Sequence, residues 1–154
     1  MTLVKNAAIA ALATRALAAC QTMSDMGTSA SNTVSGWFGS GKSVSVNLTG
    51  AEEVPAVSSS ASGKGSFTVA EDGTVKGSVT TSGVAGTMAH IHRGAKGQNG
   101  PVAIGLVKNG DTYSVPEGAK LSESDMKLFK AGDLYVNVHS AAHKGGEIRA
   151  QLQP

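Results

Sequence analysis

The chain has 154 residues, with 13 lysines and arginines against 11 aspartates and glutamates, so its formal net charge is only +2. This balance gives no basic surface of the kind that binds nucleic acid. A single cysteine leaves no partner for an intrachain disulfide and excludes a metal site built from several thiolates. The length is enough for one domain with its own core, held without covalent cross-links.

The N-terminus has the pattern of a secretory signal. Lys5 gives a short basic start, and an alanine-rich apolar run follows that is too short to remain as a membrane span. The run ends in Leu17-Ala18-Ala19-Cys20, which resembles the lipobox of bacterial lipoproteins. That resemblance implies a signal peptide at residues 1–19 and a lipid on Cys20, and Gln21 in the next position favours the outer membrane. An ordinary cleaved signal with a chance cysteine is the alternative.

The segment after the signal is predicted as a flexible tether. Residues 20–41 are rich in serine, threonine, glycine and asparagine, and they contain too few apolar side chains to order themselves. Residues 42–154 then form one domain. Removing residues 1–19 takes away Lys5 and Arg15 but no acid, so the remaining chain has equal numbers of basic and acidic residues. We expect an envelope protein that faces the periplasm or the cell surface, anchored to the membrane by its lipid.

Short strands separated by turn residues follow one another through residues 42–154. Glu71-Asp72-Gly73 is predicted as the turn of a hairpin, with glycine where a positive φ is needed. Ser122-Glu123-Ser124-Asp125 approximates a capping box, and Gly132 ends the short helix that it begins. The strand spacing and the many glycines predict an all-β antiparallel sandwich with one short helix. The predicted strands are Ser43–Leu48, Gly65–Ala70, Thr74–Thr80, Met88–His92, Val102–Val107, Thr112–Val115, Leu134–His139 and Glu147–Leu152.

All four histidines lie in two pairs within strand-like sequence. Residues i and i+2 of a strand share a face, roughly 6.5–7 Å apart, so His90 and His92 can aim at one point, with Met88 one step further back. Imidazole suits zinc, copper, nickel and iron, and a thioether shifts the preference towards Cu(I). The pattern predicts a transition-metal site with His90, His92 and His139 as ligands and Met88 or His143 as a possible fourth.

Other residues near these pairs give weaker signals. Glu53 and Glu147 are candidates to orient a ligand histidine, because such histidines often donate their second N–H to a carboxylate. The glycine-rich loop Arg93–Pro101 follows the first pair and could act as a lid. Serines are plentiful, but none lies in a nucleophile-elbow pattern, so a serine hydrolase has no local support. A solvated row of histidines on an exposed strand is the alternative to a metal site.

Four blocks of the sequence resemble the chordin-type (CHRD) domain family and occur in the family's order. They are Leu48-Thr49-Gly50-Ala51-Glu52-Glu53-Val54-Pro55, Ala89-His90-Ile91-His92-Arg93-Gly94, Tyr135-Val136-Asn137-Val138-His139 and Gly145-Gly146-Glu147-Ile148-Arg149-Ala150-Gln151-Leu152. The resemblance covers about residues 44–153. It implies an immunoglobulin-like, Greek-key β-sandwich and no established catalytic activity. His90, His92 and His139 fall within the family's motifs, and His143 does not.

A more distant similarity is to the copper/zinc superoxide dismutases, which also place a His-x-His pair and a later Val-His on a β-sandwich. Arg149 would occupy the place of the arginine that follows there. The leading hypothesis is therefore a lipid-anchored envelope protein that binds one copper ion for sequestration or delivery. Two alternatives stay open: a copper-only dismutase-like redox enzyme with Arg149 attracting the anion, and a non-metal adhesion or assembly module.

Overall fold

Nine strands, one α-helix and one short 3-10 helix (Gly50–Glu52) organise residues 41–154, which are the residues that the computed structural model describes. The strands are β1 (Gly41–Thr49), β2 (Ser62–Ala70), β3 (Val75–Ser82), β4 (Gly86–Arg93), β5 (Val102–Gly105), β6 (Val107–Asn109), β7 (Thr112–Ser114), β8 (Leu134–Ser140) and β9 (Ile148–Leu152), and the α-helix is α1 (Glu123–Ala131). The predicted signal peptide, Cys20 and the tether lie outside these residues, apart from Gly41 at the start of β1. Within residues 41–154 no helix is long and apolar enough to cross a membrane.

All strands pair antiparallel in one sheet with the order β5-β4-β8-β9-β1-β2-β3-β7-β6. The strands at the two ends of this order, β5 and β6, are consecutive in sequence and joined through Leu106. The Leu106 N–H donates to the carbonyl oxygen of Ala89 in β4 at 2.9 Å. The sheet therefore nearly closes on itself, which confirms the predicted all-β sandwich class with its single short α-helix.

The core follows from the alternation of side chains along the strands. In β1 the predicted inward residues Val44, Val46 and Leu48 are all buried, while the residues between them are exposed. Gly73 has a φ of 84° and makes the predicted turn between β2 and β3. Burial of each valine or leucine side chain contributes about 1.5–3 kcal/mol to folding. The three buried residues therefore determine which face of β1 points inward.

The helix also forms where its signals place it. The Ser122 hydroxyl accepts a hydrogen bond from the Asp125 N–H at 3.1 Å, and Gly132 ends the helix at a φ of 79°. Phe129 is buried in the core. Arg93, at the end of β4, donates to both carboxylate oxygens of Asp125 at 2.6 and 2.9 Å. This bidentate pair ties the start of the helix to the strand that carries the first histidine pair.

One predicted strand is wrong. Val102–Val107 is not continuous, because β5 ends at Gly105 and pairs with β4, whereas β6 begins at Val107 and pairs with β7. The chain changes partners at Leu106, where the two ends of the sheet meet. Side-chain alternation continues across such a change of partner, so the periodicity of the sequence does not reveal it.

Strand β8 is buried on both of its faces, and one of them carries polar side chains. All seven of its residues are buried, although polar and apolar side chains alternate along it. Leu134, Val136 and Val138 pack into the hydrophobic core. The opposite face carries Tyr135, Asn137 and His139, and it is covered by the loop after β4 and the loop after β8. The domain thus encloses a polar face behind its core.

Candidate metal centre

Strands β4 and β8 bring the histidines together. In their antiparallel ladder Met88 lies opposite His139, His90 opposite Asn137 and His92 opposite Tyr135. Residues directly opposite in such a ladder share a face, with Cβ atoms about 5 Å apart, and diagonal neighbours remain within reach of long side chains. The predicted pairing of the His-x-His segment with a histidine from a separate strand therefore follows from the register of this one strand pair.

Three imidazoles converge on one point. One ring nitrogen each from His90, His92 and His139 lies within 4.8 Å of the others. The closest pair is His90 Nδ1 and His139 Nε2, which are 3.1 Å apart, and the three ring centroids are separated by 4.9 to 6.0 Å. A tetrahedral ion with bonds of about 2.0–2.1 Å holds its nitrogens about 3.3 Å apart. The cluster needs only a short approach of the rings to bind an ion.

Backbone carbonyls fix the tautomers of two of these rings. His92 Nδ1 donates to the Gly100 carbonyl at 2.9 Å, and His139 Nδ1 donates to the Lys144 carbonyl at 2.9 Å. Both rings therefore present the lone pair of Nε2 to the cluster. His92 Nε2 is buried and has no hydrogen-bond partner. His90 Nδ1 donates to His139 Nε2 at 3.1 Å. When His90 moves this proton to its own Nε2, the three nitrogens that face one another are one Nδ1 and two Nε2 atoms.

The carboxylates predicted to orient the histidines do something else. The Ser59 hydroxyl donates to Glu147 at 2.8 Å, and hydrogen bonding from Ser140 is the main cause that lowers the pKa of Glu147. Glu53 is buried beside Asn137, and its burial raises its pKa. His92 and His139 instead donate to backbone carbonyls that their covering loops supply, so neither Glu53 nor Glu147 is the Nδ1 partner of these two rings.

Behind the cluster, Arg149 and Tyr135 form a column with His92. The Tyr135 ring stacks on His92 with centroids 4.9 Å apart and an angle of 4° between the planes. The guanidinium carbon of Arg149 lies 3.4 Å from the Tyr135 centroid, and Arg149 is only 1% exposed. The guanidinium of Arg149, the candidate for attracting an anion in the dismutase-like alternative, is thus enclosed.

Arg149 instead fastens the glycine-rich loop after β4. It donates to the Gln98 carbonyl at 2.9 Å and to the Asn99 side-chain oxygen at 3.2 Å. The same loop supplies the Gly100 carbonyl that holds His92. The loop predicted as a lid is thus bound to the sheet beneath it, and Arg149 sets the position of a ligand ring through the loop and through Tyr135.

The two remaining predicted ligands are placed differently. Met88 lies opposite His139 on the same face and is 50% exposed, so its thioether is at the solvent side of the cluster. His143 lies in the loop after β8, where its carbonyl accepts from the N–H groups of Ser140 and Gly146. The group of converging nitrogens does not include His143.

Burial keeps two rings of the cluster neutral. It is the largest cause that lowers the pKa of His90 and of His92 below the ordinary value of 6.5, and for His90 the neighbouring His139 lowers it further. A neutral ring has a free lone pair, which is the form that binds a metal. These rings thus stay available as ligands at a pH where an exposed histidine begins to take up a proton.

The same shifts predict how the metal-free protein responds to acid. As the pH falls through 6.5 the unfolded chain takes up protons on these histidines, whereas the folded chain does so only at lower pH because burial lowers their pKa values, so the free energy of unfolding should fall as the pH falls. The His90→Gln variant should show a smaller fall. Urea denaturation of both proteins at pH values above and below 6.5, with a chelator present, measures the difference. Identical pH profiles would contradict the prediction.

Tyr135 and Asn137 belong to the site but were not predicted as site residues. Both lie on the polar face of β8 together with His139, and both are buried. The signal available in the sequence was their position, since residues two and four places before His139 share its face. That signal alone does not tell a buried polar face from a solvated one.

The molecule is thus an all-β domain with a three-histidine cluster on an enclosed polar face. A comparison with protein families matches residues 44–152 to the CHRD domain, and the chain belongs to this family. The matched range contains all three histidines of the cluster, and the family predicted from the sequence blocks is confirmed. No curated protein and no solved structure matches the chain.

Proposed function

We propose that this CHRD domain binds one copper ion through Nδ1 of His90, Nε2 of His92 and Nε2 of His139, for sequestration or delivery. The observation that carries the proposal is the buried lone pair of His92 Nε2, which has no hydrogen-bond partner and belongs to the converging group. An unsatisfied buried polar atom costs about 1–3 kcal/mol. A bound cation would remove this cost.

Copper is favoured by the donor atoms. Among divalent ions of the first transition row, copper binds a given nitrogen site most tightly, and thioether sulfur favours Cu(I). The site has three imidazoles, and Met88 lies on the same face, directly across from His139. A closed structural zinc site normally has four strong ligands, which this cluster does not supply from its histidines.

We also propose that the protein is held in the cell envelope by a lipid on Cys20, as an outer-membrane lipoprotein. The support for this part comes from the sequence alone, from the apolar run that ends at Cys20. Residues 21–40 would then connect the lipid on Cys20 to the copper-binding domain.

Binding is favoured over turnover. A dismutase-like enzyme needs a positive group at the entrance of the site, and the enclosed Arg149 does not provide one. The alternative of a non-metal adhesion module predicts that the protein takes up no metal, whereas the copper-binding hypothesis predicts that it does. Metal titration therefore separates these two hypotheses.

Titration of the full chain with Cu(I) and with Cu(II) should give one tight equivalent per chain. The His143→Ala variant should keep the whole equivalent, because His143 is not part of the cluster. Competition with a chromophoric chelator measures both. Absence of saturable binding would contradict the proposal, and loss of the equivalent in His143→Ala would contradict the assigned ligands.

A further inference from the structure

Three buried side-chain atoms of residues 41–154 have no hydrogen-bond partner, and all three belong to one neighbourhood. They are Glu53 Oε1, His92 Nε2 and Asn137 Oδ1. Native structures contain few such atoms, and each calls for an explanation. The metal proposal accounts for His92 Nε2 only and leaves the oxygens of Glu53 and Asn137 unexplained.

Asn137 lies at the centre of the enclosed polar face. It is opposite His90 in β4 and opposite Arg149 in β9, and it is only 2% exposed. Tyr135 and His139 flank it on its own strand and on the same face. Its short side chain therefore lies on the same face as the three imidazoles, between the positions that carry them.

The Asn137 carboxamide has a defined orientation. Its Nδ2 donates to the Gly145 carbonyl at 3.4 Å and lies on the side of Glu53, where a Cβ on Gly146 would fall 2.7 Å from Nδ2 and 2.3 Å from Glu53 Oε1. Gly146, at a φ of 134°, thus lets the backbone approach this pair closely. With Nδ2 on that side, Oδ1 is directed to the opposite side.

On that opposite side, Asn137 meets the ring of His92. Asn137 is paired with His90 and Tyr135 with His92, so His92 is the diagonal neighbour of Asn137 on the same face of the strand pair. Because His92 donates through Nδ1 to Gly100, its Nε2 is an acceptor, as is Asn137 Oδ1. Two neighbouring acceptors cannot satisfy each other. Two buried acceptor atoms side by side, here His92 Nε2 and Asn137 Oδ1, favour a cation between them.

We propose that Asn137 Oδ1 is a further ligand of the copper site, used from the buried side when the ion is Cu(II), and that Met88 is the ligand used from the solvent side when the ion is Cu(I). This inference rests on the proposed function. Amide oxygen is a hard donor that suits the harder Cu(II), and thioether sulfur is a soft donor that suits Cu(I). The three histidines are common to both states.

The positions of the two residues fit these roles. Met88 is one of the few large apolar side chains of residues 41–154 that are exposed, and as an unbranched chain it can turn towards His139 without displacing the core. Asn137 is buried and its Nδ2 is hydrogen-bonded to the Gly145 carbonyl, so its oxygen is held in one position. The site therefore offers a mobile soft donor and a fixed hard donor on opposite sides.

Affinities for Cu(I) and Cu(II), measured separately in the full chain, test this assignment. Asn137→Ala should weaken Cu(II) binding about tenfold, at least the loss that removal of a hydrogen-bond partner of a ligand causes, and should leave Cu(I) binding within about twofold. Met88→Leu, which conserves volume, should do the reverse. Asn137→Asp keeps an oxygen in place and should bind Cu(II) at least as tightly as the unmodified chain.

Each result that differs from these expectations overturns one part of the proposal. Unchanged Cu(II) affinity in Asn137→Ala, or equal weakening of both ions, overturns the assignment of Asn137. If that variant does not fold, weaker Cu(II) binding by Asn137→Asp overturns it instead. If Met88→Leu leaves Cu(I) affinity unchanged, the assignment of Met88 is overturned. Failure of the unmodified chain to bind either ion overturns the copper proposal itself and this inference with it.

Discussion

Replacing His92 by glutamine is expected to weaken copper binding by more than about 100-fold, which exceeds the usual effect of a residue outside the inner ligands. His92 is held from two sides, by its hydrogen bond to the Gly100 carbonyl and by its stacking on Tyr135. Its Nε2 therefore needs no reorientation to bind an ion. Glutamine has a similar length and polarity but places no lone pair of comparable basicity at this point.

Equilibrium competition with a chelator, for Cu(I) and Cu(II) in turn, measures the loss. His143→Gln is the matched control, because it makes the same chemical change at a histidine outside the cluster. It should bind copper as the unmodified chain does. Equal affinities of the His92→Gln and His143→Gln variants would show that the cluster is not the copper site.

Replacing Arg149 by methionine is expected to lower the free energy of unfolding by about 3 kcal/mol. A hydrogen bond to a charged group contributes about 1.5–3 kcal/mol to stability, and the largest losses arise when a buried network of such bonds is broken. Methionine fills part of the volume but leaves the Gln98 carbonyl and the Asn99 oxygen without their donor. It also removes the cation that lies on Tyr135. The loop that holds His92 should loosen, so copper affinity should fall about tenfold as well.

Urea denaturation measures the stability change, which should appear as a lower midpoint with an unchanged slope. Lys96→Met is the control, because Lys96 belongs to the same loop but makes only an exposed pair with Glu52 at 3.5 Å. That variant should change stability by less than about 0.5 kcal/mol. If Arg149→Met were as stable as Lys96→Met, Arg149 would not fasten the loop.

Much of the scaffold could be predicted from local patterns. The alternation around Val44, Val46 and Leu48, the turn at Gly73 and the cap at Ser122 each depend on residues close in sequence, and each lies where it was predicted. The family motifs located the strands that carry the histidines. The convergence of His90, His92 and His139 also follows from two strands with the right side-chain parity.

The surroundings of the cluster could not be predicted, because they depend on contacts far apart in the chain. His92 is held by a loop that Arg149 fastens from β9, about 50 residues later. A carboxylate was expected as the hydrogen-bond partner of a ligand histidine. The partner is a backbone carbonyl, which every residue type has, so the sequence contains no signal for it. Asn137 likewise becomes notable only when its burial and its unpaired oxygen are known.

The joining of β5 to β6 through Leu106 bears on how copies of the domain behave when they are crowded. An open sheet presents rows of free N–H and C=O groups that can pair with another chain and start aggregation. Here the two terminal strands have only four and three residues, and Leu106 bonds back to β4. These two ends leave little backbone for a neighbour to pair with. Strands β1 and β9 meet at a single residue pair, Thr49 and Arg149, so edge-to-edge association between crowded copies would be confined to that seam.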